Sequence, residues 1–490
     1  MDGSPSGDSV GDTLGGLEQR VWRGLAWSFI NTLAGRLGSL LAGIVIARIV
    51  DPEAFGVYAV ALVALNLLLS MNELGVSVAL VRHPGSVAAM APTVVTLSIG
   101  SSAVLFVAMF LAAGPFAGAM GAPEATGIIQ LMSVAVLIDG ITSVPVAMLT
   151  RAFMQAKRMQ IDLIGFAVST PVTILLALAG QGAWSLAWGA VAGNLATGLF
   201  SVLWAPERYR PGFDRDVVGG LLRFGLPLAG ASLLLLALVN VDFVVAGRVL
   251  GTVQLGLYFL GFNLSTWPMT LVSTVVRRVT TAAYAQLNDR GDGSAGFRQS
   301  LFLVLSLGML LSVLLAAYAE EIVRFLYGET WVPAAVVIPA LVILSMGRMA
   351  VELSYDYLVA LGRTVGNAWL HGLWLVALVP ALLIGAAGYG IGGIAWAHAI
   401  VVVALVLPGI GILLARSGTP VGPLIVDLLL PLLGAAAVYG SALLVKMVLP
   451  DGFLLLAVGG LCGGAVYALV VGPRFLRTVR AFMGTGARTR

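Results

Sequence analysis

The chain has 490 residues, 59% of them apolar and only 10% charged, against about 25% charged in an average soluble domain. With a mean hydropathy of +1.01, this much apolar surface exceeds what a water-soluble core can hide, which excludes a soluble enzyme, a disordered chain and a secreted disulfide scaffold. The formal charge is +4, and the single cysteine, Cys462, allows no internal disulfide.

Residues 1–19 are polar, rich in Gly, Ser and Asp, and read as a disordered tail rather than a signal peptide. A helix needs about 20 apolar residues to cross the hydrocarbon core. On that criterion fourteen spans are expected in chain order, at 25–50, 54–80, 89–113, 125–149, 160–180, 183–205, 221–250, 253–276, 299–319, 334–361, 366–387, 390–415, 424–448 and 452–472. Short turns rich in Gly and Pro separate them, as at Asp51-Pro52 and Gly121-Ala122-Pro123. The fold class expected is therefore an all-α polytopic membrane protein.

The distribution of basic residues tests the count. With the N-terminus in the cytoplasm, 21 of the 27 Lys and Arg fall on the cytoplasmic side. Only Arg48, Arg248, Arg324 and Lys446 fall opposite, and Arg36 and Arg348 lie within spans. Such asymmetry follows the positive-inside rule and places both termini in the cytoplasm.

An internal repeat divides the chain. Residues 47–58 (ARIVDPEAFGVY) and 247–258 (GRVLGTVQLGLY) align at an offset of 200, with Arg48/Arg248, Gly56/Gly256 and Tyr58/Tyr258 identical. Each copy joins the first and second spans of a six-span set. Six is even, so the copies share one orientation, and two parallel lobes related by a pseudo-two-fold axis along the membrane normal are expected. The expected organisation is a tail (1–19), an N-lobe (20–215), a C-lobe (216–418), two extra helices (419–473) and a basic cytoplasmic tail (474–490). Gly56 and Gly256 read as tight-packing positions.

A charge in mid-membrane costs at least about 2.5–3.5 kcal/mol, so it usually faces a bundle interior or a wet cavity. In the tenth span Ser345, Arg348, Glu352 and Asp356 share one helical face. Arg348 and Glu352 could neutralise each other, yet Asp356 on the same face favours a water-accessible cavity. In the first span Ser28, Thr32 and Ser39 flank Arg36, and in the second Asn66, Ser70, Glu73 and Ser77 form a stripe. Arg36, Arg348, Glu352, Asn66 and Glu73 are the expected cavity residues, Glu73 with a gate role equally open. Asp139, Asp242 and Asp356 are the expected carriers of a coupling proton or sodium ion, with partnering by a neighbouring helix as the alternative for Asp139 and Asp242. His371 shares a face with Asn367 and Trp374 and reads as a packing residue. No catalytic, nucleotide-binding or metal-ligating motif is present in the sequence, so neither an enzyme nor a cofactor is expected.

Several segments then resemble one family. The stretch 47–82 (ARIVDPEAFGVYAVALVALNLLLSMNELGVSVALVR), residues 145–158 (PVAMLTRAFMQAKR), the stretch 241–258 (VDFVVAGRVLGTVQLGLY) and residues 281–293 (TAAYAQLNDRGDG) are similar, in that joint order, to the polysaccharide flippases of the MOP exporter superfamily, the Wzx/WzxC-like branch. The resemblance covers roughly residues 24–415. It implies transfer of an undecaprenyl-diphosphate-linked oligosaccharide to the periplasmic leaflet of the bacterial inner membrane. The implied partners are that polyprenyl-linked glycan, the bilayer and the polymerase or export machinery of the glycan, with no nucleic acid. Lipid II flippases of the superfamily carry a first-helix cavity arginine where Arg36 stands, and a second about a turn later, where this chain has Ala42. The same-fold alternative is a MATE-like, proton- or sodium-coupled extruder of drugs or organic cations, whose pocket would be acidic.

Overall fold

The structure is a computed structural model that describes residues 35, 38–72, 80, 87–288, 293–363 and 365–487. Arg36, Glu73 and the N-terminal tail lie outside the described residues. In hydrocarbon every backbone N–H and C=O must be paired within the protein, and helices do this within one segment. The described chain accordingly runs as helix after helix. The N-lobe comprises α1 (Gly38–Ile49), α2 (Pro52–Asn72), α3 (Ala91–Ala119), α4 (Thr126–Arg151), α5 (Gln155–Leu178) and α6 (Ala183–Trp204). The C-lobe comprises α7 (Arg215–Leu250), α8 (Thr252–Asn288), α9 (Gly293–Ala317), the short α10 (Ala319–Tyr327), α11 (Ile338–Ala360), α12 (Val365–Val401) and α13 (Leu407–Arg416). Two further helices follow, α14 (Val421–Val448) and α15 (Phe453–Ala487).

Among the described residues eleven helical stretches are long and apolar enough to cross a membrane. One of these, Gly366–Arg416, holds two of the expected spans, because α12 breaks at Tyr389 and at Gly390, whose φ of +59° suits a residue without a Cβ. A π turn at Val402–Val406 then leads into α13. Each of the fourteen expected spans coincides with helix in its described part, which is consistent with that count.

The ends differ from the hydropathy boundaries for physical reasons. α7 starts at Arg215, α8 continues to Asn288 and α15 to Ala487, because polar helix formers extend the helix beyond its apolar part. The connection left between the expected spans 299–319 and 334–361 is itself helical, as α10 and a 3-10 segment at Glu329–Val337. α10 is amphipathic: Val323 is buried, while Arg324 reaches Glu320 at 2.7 Å, Glu329 at 2.9 Å and Asp451 at 3.4 Å. The hydrogen bond that Arg324 donates to Glu320 holds the guanidinium above its ordinary pKa.

In the N-lobe α3 packs on α4 and α5 on α6, and α4 bridges to α2 and α6. In the C-lobe α9 packs on α8 and α11, and α7 on α12. The extra pair α14–α15 docks on α9. The non-helical link 205–214 is stitched to the start of α3 by Thr96 Oγ1 donating to the Gly212 carbonyl (2.6 Å) and the Asp214 amide donating to Thr93 Oγ1 (3.0 Å). The lobes meet through α2 against α7 and α8.

Candidate functional site: a gap between the lobes, sealed at one end

The seal is built from the repeat. Asp51 caps α2 through its Oδ1, which accepts from the Ala54 amide at 2.8 Å, and Pro52 supplies the first helical residue without an orphan N–H. This fixes the direction of α2 and carries Gly56 against α8. A Cβ on Gly56 would collide with the Thr252 carbonyl, and one on Gly256 with the Pro52 carbonyl. Positions 52/252 and 56/256 are repeat equivalents, so the two glycines lie on the pseudo-two-fold axis. Beside them Trp331 is buried, donates from Nε1 to the Ala47 carbonyl at 2.7 Å, and meets the Phe55 ring edge-on at 5.0 Å. Arg48 donates from Nε to Leu326 O at 2.8 Å and also to Phe325 O. These are the carbonyls that end α10, where the helix dipole favours a cation. Gly121 approaches Gly247 of α7 at the same end.

Next to the seal a cavity of about 380 Å³ opens between α1, α2 and α8. Its polar lining is neutral: Ser39 from α1 and Asn263, Thr266, Trp267 and Thr270 from α8, with Phe55, Phe259 and Tyr327 completing the wall. Tyr327 ends α10, and burial pushes its hydroxyl up to about 12, so it remains a hydrogen-bond donor at physiological pH. Thr266 and Thr270 donate their hydroxyl protons to the Asn263 and Thr266 carbonyls one turn back.

The expected site residues separate into groups. Asp242 has no exposed surface. Its Oδ2 accepts from the Tyr258 hydroxyl at 2.8 Å, its Oδ1 from the Phe243 amide at 3.0 Å, and the buried His398 Nε2 approaches Oδ2 at 3.2 Å without hydrogen-bond alignment. Arg348 is half-buried, stands 6.0 Å from the Phe262 ring centroid, and feels the charges of Asp242 and Glu352. The C-lobe thus gathers Asp242, Tyr258, Arg348, Glu352 and His398. In the N-lobe Asp139 Oδ2 accepts from Asn72 Nδ2 at 2.7 Å, and Asn72 Oδ1 accepts from Ser101 (3.0 Å) and Ser102 (2.8 Å). Asp356 is exposed near the end of α11, and Asn66 is half-buried on α2. The lining of the cavity includes none of Asn66, Arg348 and Glu352. His371 packs as expected, its Nδ1 2.8 Å from the Asn367 carbonyl.

Sequence reasoning missed Asn72, Trp267 and Trp331, and gave His398 no role. Asn72 carried a signal, since it sits in an apolar run beside the stripe of Asn66, Ser70, Glu73 and Ser77. The two tryptophans carried none, because Trp is ordinary at membrane interfaces.

Comparison with known proteins agrees with this architecture. The chain is 28% identical over 378 residues to the succinoglycan biosynthesis transport protein ExoT of Rhizobium meliloti, covering 75% of this chain and 74% of that one. It is 24% identical to the lipopolysaccharide biosynthesis protein WzxC of Escherichia coli, covering 75% and 76%. Its fold is similar to that of the lipid II flippase MurJ in an inward closed conformation, with a TM-score of 0.73 over 92% of this chain and 99% of that one at 16% identity. It is also similar to an inward-facing MATE family multidrug transporter of the MOP superfamily, with a TM-score of 0.59 over 76% and 93% at 17% identity. Residues 45–336, more than half of the chain, match the profile of one family, and the chain belongs to it: the polysaccharide biosynthesis proteins.

Proposed function

We propose that the chain is a flippase that moves a polyprenyl-diphosphate-linked oligosaccharide from the cytoplasmic to the periplasmic leaflet of the bacterial inner membrane by alternating access. The observation that carries this reading is the gap between the lobes, closed at the Gly56–Gly256 end and lined by neutral hydroxyls, an amide and an indole. Sugars and a diphosphate cannot cross about 30 Å of hydrocarbon unaided. A wet gap accepts the head group while the polyprenyl tail stays in lipid. Hydroxyl and amide groups hydrogen-bond sugar hydroxyls, and the Trp267 face suits the apolar face of a sugar ring. Among the described residues lining the cavity there is no carboxylate, which favours a glycan over an organic cation.

The diphosphate is the task of Arg36, which precedes Ser39 by one turn in sequence, and of Arg348, since a guanidinium binds phosphate oxygens in a two-pronged fashion. Asn66, Glu73 and Glu352 accompany them as polar positions of the transport path. The membrane potential contributes about 2.3 kcal/mol per charge per 100 mV to outward movement of an anionic head group. Resetting uses a proton or sodium ion on a carboxylate. Asp242 is the best placed of the three, enclosed by Tyr258 and His398, ahead of Asp139 and Asp356. The transfer forms and breaks no covalent bond, so the protein acts as a transporter and not as an enzyme. The glycan's polymerase and export machinery are the expected downstream partners.

The test is export of the glycan in cells and flipping of the purified lipid-linked glycan in vesicles. Arg36→Ala and Arg348→Ala abolish both with protein level intact, and Trp267→Ala reduces both several-fold. Normal flipping in all three variants, or uptake of organic cations in place of glycan transfer, overturns the reading.

A further inference from the structure

A second charged site lies outside the gap, where α14 and α15 dock on α9. Asp427 of α14 is buried, its side chain only 6% exposed, and it is met by two arginines. Arg298 of α9 donates from Nε to Oδ2 and from Nη2 to Oδ1 (3.0 Å), and Arg474 of α15 donates from Nη2 to Oδ1. One guanidinium in this two-pronged geometry already compensates the carboxylate. The second leaves one positive charge in excess. The two side chains are 43% and 37% exposed, so the cations are open where the anion is hidden.

A cavity of about 280 Å³ adjoins the three charges, lined also by Gln299, Phe302 and Thr478. That is room for about nine waters at liquid density. Each guanidinium carries five N–H donors, and Asp427 takes three of the ten. Among the described residues the Gln299 amide has no protein partner. The Phe302 ring, 5.1 Å from Arg474 Cζ, fixes that guanidinium from one side. The outer faces of the two helices that carry Asp427 and Arg474 are apolar and exposed, through Ile425, Val426 and Leu429 on α14 and Leu476 on α15. A cationic pocket on helices whose outer faces are aliphatic matches an amphiphile with an anionic head. All three charges also belong to the basic rim, the side on which 21 of 27 basic residues fall. Basic pockets between helices at that rim hold anionic lipid head groups.

We propose that Arg298, Arg474, Gln299 and Thr478 form a binding site for the phosphate group of an anionic phospholipid of the cytoplasmic leaflet, with Asp427 as the counter-charge that sets its strength. The site rests on the membrane-spanning orientation of the chain and not on the flippase reading.

The experiment is competition of phosphatidylglycerol against phosphatidylcholine for the purified full-length protein, read by native mass spectrometry and by lipid exchange in nanodiscs of the two lipids. The wild type retains phosphatidylglycerol preferentially. Arg298→Gln with Arg474→Gln lowers that preference by about tenfold, the effect of losing a hydrogen bond to a charged group. Gln299→Leu, which leaves the three charges in place, lowers it several-fold, so the result does not depend on a variant that disturbs helix docking. Asp427→Asn raises the preference, because the same two cations then face one anion fewer. A purely structural ion cluster predicts the reverse pattern: every charge variant lowers thermal stability and none changes the lipid preference, and that outcome overturns the proposal. Displacement of the lipid by inorganic phosphate at equal concentration identifies a site for free phosphate and overturns the lipid assignment. Displacement only by the purified polyprenyl-diphosphate glycan identifies a loading site for the transported molecule and likewise overturns it.

Discussion

A carboxylate with no exposed surface has to be held by its neighbours, and Asp242 shows which neighbours those are. The Tyr258 hydroxyl and the Phe243 amide donate to it and the His398 imidazole lies beside it. A hydrogen bond to a charged group contributes about 1.5–3 kcal/mol. Tyr258→Phe therefore lowers the thermal unfolding temperature in detergent while leaving the carboxylate present. Asp242→Asn keeps the shape of the site and removes the carboxylate, so if Asp242 has the coupling role proposed above, transport loses its dependence on the ion gradient. If Asp242→Asn transports with unaltered ion dependence, the coupling role passes from this residue. Asp242 was legible in the sequence as a charge inside an apolar run. Its partners were not, because His398 stands on a helix far along the chain and helical periodicity only relates residues of one helix. The same limit hid the pairing of Asp139 with Asn72, while the tight packing of Gly56 and Gly256 was visible through the repeat.

Helices were legible where their ends carry specific chemistry. Asp51-Pro52 starts α2 as both a cap and a first-turn proline, and the glycine in Tyr389-Gly390 marks the bend that divides the long α12–α13 run. The outer connection between α9 and α11 falls between the expected spans 299–319 and 334–361, because its charges interrupt the apolar pattern. Those charges in fact line one side of the short α10, whose other side is pinned by Val323 and followed by the buried Trp331. This element presents its terminal carbonyls to Arg48 and so closes the gap. Arg48→Ala removes these bonds and Gly256→Ala inserts a Cβ against the Pro52 carbonyl, so both open the seal. In a Cys462→Ser background with Phe55→Cys as reporter, a membrane-impermeant maleimide added outside labels either variant faster than the parent. Equal labelling rates would show that α10 and the glycine contact do not hold the gap shut.

At the scale of the whole molecule, the scarcity of charge gives the remaining charges their meaning. On the fourteen-span reading, 21 of the 27 basic residues fall on one side, which predicts a cytoplasmic position for that side. An even number of spans returns the chain to its starting side. Alkaline phosphatase fused after Lys446 is therefore active in the periplasm, whereas fusions after Arg208 or after Arg480 are inactive and a fluorescent protein at the same points matures. Activity at Arg208 would remove the orientation on which both the direction of transport and the lipid site depend. The two-lobe plan was also legible as a repeat of 200 residues, but the sequence held no sign that the repeated segments touch each other.

That contact has a consequence for how the protein can vary. Residue 56 meets 252 while 256 meets 52, which is the self-paired geometry of a symmetric homodimer preserved inside one chain. In a self-paired interface within one chain, each half constrains the other. A single added methyl group already separates the halves, so a second on the opposite side meets space that has opened. The defects of Gly56→Ala and Gly256→Ala should therefore combine to less than their sum, as coupled neighbours do.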